Sequence, residues 1–306
     1  MITIDRVHKE YKVVHRKGMF RTTTTQCTAL KDINLKLDSS GIIGLVGNNG
    51  AGKTTLMKLI CGLIQPTAGD ITVLGEIPFQ KNHSLLRRLS FLSGRKDSLI
   101  WDLPVSDSLN FHGEIYKINR AQTLSRYKYL AELFDATHLL EKQGRALSLG
   151  ERMKCELIKS LLHNPEILLL DEPTIGLDLT TQLAFRKYIK LANQQDKSLI
   201  LLSSHNMDDI SDTCTKMIGL SNGKVVFNDD IRQVSISDEI KAEYRIRYEH
   251  KGTQLLHEQL CSINEISDHL SRLTSKNDVV ILSIEKNTKT FSQAIEKIIT
   301  KNPEHA

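Results

Sequence analysis

The sequence predicts an α/β fold: a buried, mainly parallel sheet, a helical insertion, and a small α+β appendage at the end of the chain. Three observations carry this expectation. Short apolar runs recur at 41–47 (GIIGLVG), 166–173 (EILLLDEP) and 198–205 (SLILLSSH), and such continuous runs suit strands buried on both faces. Stretches with helical spacing separate them, and alternating strands and helices close into a sheet covered by helices. After about residue 230 the pattern changes to strand-like KAEYRIRYEH and NDVVILSIEK, with an amphipathic helix in TFSQAIEKII.

In chain order, ITIDRV and ALKDINLKL alternate apolar and polar residues and read as strands of a β-rich N-terminal subdomain. HRKGMFRTTTTQ between them is polar and threonine-rich, the composition of an exposed hairpin tip or loop. GIIGLVG runs into a glycine-rich turn, after which TLMKLICGLI has helical spacing. A helical subdomain is expected over about 95–163, with Leu124, Tyr127, Leu130, Leu133 and Phe134 on one apolar face. The expected domains are 1–230 and an accessory α+β domain at 231–306, joined by DDIRQVSISDE.

Composition narrows the function. With 306 residues, 40% of them hydrophobic, the chain can bury a substantial core. No apolar run approaches the ~20 residues of a membrane span. MITIDRVHKEYK lacks the basic-then-apolar layout of a signal peptide, so a cytosolic or membrane-peripheral protein is expected. The net charge of +5 is interspersed and forms no basic stripe, so no nucleic-acid partner is expected. The five cysteines (Cys27, Cys61, Cys155, Cys214, Cys261) show no CxxC spacing, which favours buried thiols over disulfides or zinc.

Gly47–Thr55, GNNGAGKTT, fits the phosphate-binding loop G-x-x-x-x-G-K-[ST] between a strand and a helix. Backbone N–H groups from Gly47, Asn48, Asn49, Gly50, Ala51 and Gly52 can converge on phosphate oxygens, aided by the helix N-terminus. Lys53 is suited to the β- and γ-phosphates, Thr54 to Mg²⁺, and Thr55 to a further phosphate contact. At the end of the ILLL run, Asp171 is placed to hold the Mg²⁺ hydration shell and Glu172 to polarise an attacking water. A P-loop kinase or GTPase shares both elements. A third segment, LSLGERMK at 147–154, reads as a capping box, with Ser148 as cap and Glu151 reaching back. Its exposed serine and free N–H groups form a second anion site, which two chains arranged head-to-tail bring to one phosphate more readily than one chain.

Taken together these residues resemble an ATP-binding-cassette ATPase over about 2–230, with an ABC-type P-loop core. The resemblance makes Gly47–Thr55 the phosphate loop and Leu147–Glu151 the counterpart of LSGGQ, with Leu149 where the family has glycine and Gly150 retained. It makes Ile167–Glu172 the Mg²⁺ strand with its catalytic glutamate, Ile175–Asp178 the loop crossing a dimer interface, and His205 the switch histidine near the γ-phosphate. Tyr11 stands where the family stacks a ring on adenine, and an ordinary strand-face tyrosine is the alternative. Arg95 falls where the family has a glutamine that touches Mg²⁺; a guanidinium has no acceptor, so altered coupling or slower turnover is expected. WDLPVSDSL and the tail most resemble the ATPases of multidrug and polysaccharide exporters. Trp101 and Leu103 either line a groove for a partner helix or, for Trp101, pack in the helical core.

The resemblance thus implies ATP and Mg²⁺ as cofactors, hydrolysis as the reaction, and a separate transmembrane permease as partner. It also implies a second ATPase subunit, taken as a second copy, and a place at the cytoplasmic face of the membrane. The alternative is a soluble cassette ATPase of translation or DNA repair. Against it stand the single motif set and the lack of sustained heptads.

Overall fold

The computed structural model describes residues 1–17, 21–94, 98–235, 244–250, 256–261, 265–274, 278–286, 295–296 and 298–300. The chain divides into two compact units, Met1–Asn228 and Asp229–Ala306.

The first unit opens with an antiparallel hairpin, β1 (Ile2–Lys17) and β2 (Arg21–Leu37), paired from Ile2 opposite Leu37 to Lys17 opposite Arg21 with register shifts between Ile4 and Glu10. The polar stretch expected as a hairpin tip or loop does belong to the closed end of this hairpin, but its described residues are strand. A run of four β-branched threonines favours the extended backbone, and this local preference outweighs the polarity. Next come β3 (Gly41–Gly47), α1 (Lys53–Ile60) and β4 (Ala68–Val73), which pairs with β1 from Ile2 to His8. α2 (His83–Leu86) and β5 (Leu89–Ser93) lead into the helical insertion, made of α3 (Val105–Ile115), α4 (Arg120–Leu133) and α5 (Leu149–Leu161). The chain then runs through β6 (Ile167–Asp171), α6 (Leu179–Asp196), β7 (Leu199–Ser203), α7 (Met207–Thr213), β8 (Lys216–Ser221) and β9 (Lys224–Asp230).

These strands form a three-stranded sheet ordered β2-β1-β4 and a six-stranded sheet ordered β5-β6-β7-β3-β8-β9. In the larger sheet β5 to β8 pair in parallel, and β6 and β7 are buried at every position, as their uninterrupted apolar runs require. One apolar core joins Ile2, Ile4 and Leu30 of the small sheet, Leu56, Met57 and Ile60 of α1, and Leu45, Leu169 and Leu201 of the large sheet. The phosphate-loop helix is thus built into the core, which fixes its N-terminus at the ends of β3 and β6.

The buried face of α4 is Thr123, Tyr127, Leu130 and Ala131, continued by Phe134 just beyond the helix, while Leu124 is exposed. Leu124 sits one residue, about 100° of helix, away from the i, i+4, i+7, i+8 series that packs inward. Four of the five cysteines are buried; Cys27, on the hairpin, is exposed, and all five thiols are free.

In the second unit β10 (Tyr244–His250), β11 (Leu256–Cys261), α8 (Ile266–Thr274) and β12 (Val279–Lys286) build an antiparallel sheet ordered β11-β10-β12. Ile246, Cys261 and Leu273 form its small core. β10 and β12 match the sequence reading, whereas β11 and α8 went unread because LHEQLC and ISDHLSRLT are short and rich in polar residues. The expected helix in TFSQAIEKII is described only at 295–296 and 298–300. The expected linker begins with the end of β9 and the 3₁₀ turn Ile231–Ser235.

Candidate functional site

β3 delivers the chain to a turn that enters α1. Gly52 caps that helix with φ 107°, and a Cβ there would meet the Ala29 carbonyl oxygen at 2.7 Å, so the turn needs glycine for both reasons. Lys53 Nζ lies back over the turn and donates to the carbonyls of Gly47 (2.5 Å) and Asn48 (3.2 Å). A cavity of about 570 Å³ opens over this turn, lined by 49–55 together with Ala29, Lys58, Ser93, Asp171, Glu172 and His205. A larger hollow of about 670 Å³ beside Arg126 and Tyr129 of α4 contains none of the candidate site residues, so the chemistry belongs to the smaller one.

The end of β6 brings the carboxylates to the turn. Asp171 is buried; its Oδ2 accepts from Thr54 Oγ1 at 2.7 Å and its Oδ1 from Ser203 Oγ at 2.7 Å. Glu172 takes φ 57°, a left-handed conformation that a non-glycine residue adopts at a cost of roughly 1–3 kcal/mol. Its N–H donates to the carbonyl oxygen (3.1 Å) and hydroxyl (3.2 Å) of Ser203, which hold the strained residue in place. The His205 backbone N–H donates to Glu172 Oε2 at 3.1 Å. Glu172 Oε1 is buried without a hydrogen-bond partner among the described residues, with His205 Nε2 3.4 Å away. The cavity over the phosphate turn is therefore lined by a residue whose buried carboxylate oxygen lacks a hydrogen-bond donor among the described residues.

Sequence reasoning missed the support beneath these groups. Asp209 is fully buried and accepts from Thr174 Oγ1 (2.6 Å), Ser204 Oγ (2.8 Å) and Arg186 Nε (2.7 Å). Thr174 follows Glu172 by two residues and Ser204 precedes His205, so one carboxylate anchors both loops. The available signal was an acidic residue about one helical turn after His205.

Ser148 and Glu151 form the expected capping box at the start of α5. Ser148 Oγ accepts from the Glu151 N–H (3.3 Å), and Glu151 Oε2 accepts from the Ser148 N–H (2.8 Å). Glu151 Oε1 also meets Lys142 Nζ at 2.7 Å, and the lysine first, then the Ser148 N–H, hold its carboxyl down at about 2. Gly150 passes so close to the loop at 175–178 that a Cβ would sit 2.5 Å from the Gly176 carbonyl oxygen. Asp178 caps α6, accepting from the N–H (2.9 Å) and hydroxyl (2.8 Å) of Thr181. The α5 start and the 175–178 loop therefore pack on each other within one chain, and neither Ser148, Gly150, Glu151 nor Asp178 lines the Lys53 cavity.

Tyr11 lies on the hairpin opposite Cys27, with Lys9 Nζ 5.2 Å from its ring centre, and is not part of the cavity lining. Arg95 lies outside the described residues. Trp101 is 57% exposed with the Arg152 guanidinium 5.7 Å over its ring, which removes the core-packing reading.

Residues 30–175 match the family model described as ABC transporter. The chain is 32% identical over 199 residues to the ABC transporter ATP-binding protein NatA of Bacillus subtilis, covering 65% of this chain and 80% of that protein. It is 31% identical to the lipopolysaccharide export system ATP-binding protein LptB of Haemophilus influenzae, covering 70% and 90%. With the methionine import ATP-binding protein MetN of Protochlamydia amoebophila it shares 30% identity, covering 76% and 69%. The dimeric ATP-binding cassette MJ0796 bound to ADP and Pi superposes with a TM-score of 0.64 at 22% identity, over 75% of this chain and 98% of that one, and so shares the fold. A P-loop turn facing two strand-end carboxylates, in a chain with relatives of this kind, has one reading: the protein belongs to the ABC-transporter ATP-binding family and is an ATP hydrolase with the cassette fold.

Proposed function

We propose that this chain is the engine subunit of an exporter. In this reading two copies close on two ATP molecules, each held between the Lys53 turn of one copy and the Ser148 turn of the other. Closure drives a separate membrane permease and hydrolysis reopens the pair. The observation that carries the reading is the separation just described: the Ser148 turn presents a capped helix start but does not reach the cavity of its own chain. The apolar side chains beside it are left uncovered, with Leu149 59%, Ile175 43% and Leu179 68% exposed. A second copy would bury them and supply the missing wall. The relatives include both a lipopolysaccharide export protein and a methionine import protein, so the export direction rests on the exporter-like WDLPVSDSL segment and tail. No helix among the described residues is long and apolar enough to cross a membrane.

Within each site the residues divide the work. The loop N–H groups and Lys53 bind and orient the phosphates. Thr54 and Asp171 offer a hydroxyl and a carboxylate oxygen side by side, the hard donors that suit Mg²⁺, and they are the residues that would hold it. Bound with ATP, that ion supplies neutralisation of phosphate charge. Glu172 orients the attacking water and takes its proton on the buried Oε1, while His205 fixes the carboxylate through its N–H. Ser203 keeps Asp171 and Glu172 in mutual register.

Ser148→Arg tests the two-copy site. The expected result is a loss of ATPase activity of roughly 100-fold or more, with ATP affinity of the dilute single chain changed by less than about twofold. Loss of that single-chain affinity, or unchanged hydrolysis, overturns the reading.

A further inference from the structure

Ser98 and Leu99 are gripped by α5. Glu156, 4% exposed, points its carboxylate at this segment: Oε1 accepts from the N–H groups of Ser98 (2.5 Å) and Leu99 (2.9 Å), and Oε2 from the Ser98 hydroxyl. Lys159, one turn along the same face of α5, donates to the carbonyl oxygen and the hydroxyl of Ser98, both at 2.6 Å. Ser98 is thus held through its N–H, carbonyl and hydroxyl by one helix. The next residues are pinned as well, since Ile100 N–H donates to Ser108 Oγ of α3 at 3.2 Å. A carboxylate buried at this depth is costly unless its oxygens are fully occupied, and here three donors occupy them. α5 carries Ser148 at its cap, two turns before Glu156.

We propose that Glu156 is a positioning residue that locks the 98–100 segment to α5, so that the placement of the Ser148 turn against the partner copy's ATP depends on this segment. The inference rests on the two-copy reading above and assigns it a mechanical link. Displacement of 98–100 is carried into α5 by a charged clamp of two acceptor oxygens and an ammonium, instead of by apolar contacts that slip. Glu156 takes no part in the Lys53 cavity, so the nucleotide grip of a single chain does not depend on it.

The test uses the full chain carrying Glu172→Gln, with light scattering to find the ATP concentration that gives half-maximal dimerisation. Adding Glu156→Ala is expected to raise that concentration roughly tenfold, while ATP affinity of the dilute chain stays within about twofold of the parent. Glu156→Gln, whose amide oxygen still accepts from the Ser98 and Leu99 N–H groups, recovers most of the loss. Ser98→Ala, which removes the hydroxyl bridge and keeps the backbone contacts, moves the midpoint in the same direction by less, and decides the matter if Glu156→Ala does not fold. Dimerisation at the parent's ATP concentration in the variants overturns the inference. So does an equal fall in single-chain ATP affinity, which marks an ordinary structural staple. A Glu172→Gln parent that stays monomeric in saturating ATP sinks the two-copy reading and the clamp with it; a dimerising parent with indifferent Glu156 variants sinks the clamp alone.

Discussion

The Lys154 ammonium lies 3.0 Å from the Asp178 carboxylate, so the helix that begins at Ser148 is ion-paired to the cap of α6 inside one chain. The Thr181 N–H, then Lys154, hold the Asp178 carboxyl well below the usual carboxylate range. Together with the Gly150–Gly176 approach, this makes the α5 start and the 175–178 loop a single surface.

The cap and the ion pair at Asp178 separate by magnitude. Asp178→Ala removes a helix cap and is expected to cost about 0.5–2 kcal/mol of stability. Lys154→Met removes only a pair whose acid is half exposed, and is expected to cost ~0.2–1 kcal/mol. Urea unfolding of the two variants beside the parent checks the order; a larger loss for Lys154→Met contradicts it.

The capping box gives a pH signature. Glu151 has its carboxyl lowered from 4.5 to about 2 in the folded chain, so its contribution is fully present above the unfolded value and is lost as pH falls from 4.5 towards about 2. The stability difference between the parent and Glu151→Ala, ~1 kcal/mol near neutral pH, should therefore shrink as unfolding is measured at progressively lower pH below 4.5. A difference that grows on acidification contradicts the assignment.

Gly150→Ala places a methyl against the Gly176 carbonyl oxygen, where backbone must shift to admit it. Overpacking of this kind costs about 1–3 kcal/mol. The expected phenotype is a lowered melting temperature with hydrolysis reduced more than single-chain ATP binding, read by calorimetry and titration.

Thr54→Val removes one of the two oxygen donors proposed for Mg²⁺. The half-saturating Mg²⁺ concentration for hydrolysis should rise by roughly 10–100-fold, and chelation should stop hydrolysis without lowering the melting temperature of the nucleotide-free chain. A Thr54→Val enzyme with the parent's Mg²⁺ dependence contradicts this role.

Local chemistry made much of this legible in the sequence. The phosphate turn, the strand ending in Asp171 and the Ser148 cap are short-range patterns, and their residue types leave few alternatives. What stayed hidden depends on contacts between distant segments. Ser203 bridges Asp171 and Glu172 because β6 and β7 are neighbours, a pairing that apolar runs alone do not specify. Asp209 gathers donors from two loops and α6, and Glu156 reads as an ordinary helical glutamate until the 98–100 segment folds over it. Leu124 misled for a simpler reason: helix phase is set by the partner surface, and a hydrophobic residue one step off that phase stays in solvent.

The mass of the Glu172→Gln protein in solution tests most directly whether one nucleotide pocket is shared by two molecules. With saturating ATP and Mg²⁺, light scattering should report twice the 34.6 kDa of a single chain, reverting to one chain when ADP replaces ATP. A protein that binds ATP yet keeps the mass of one chain at every concentration contradicts it.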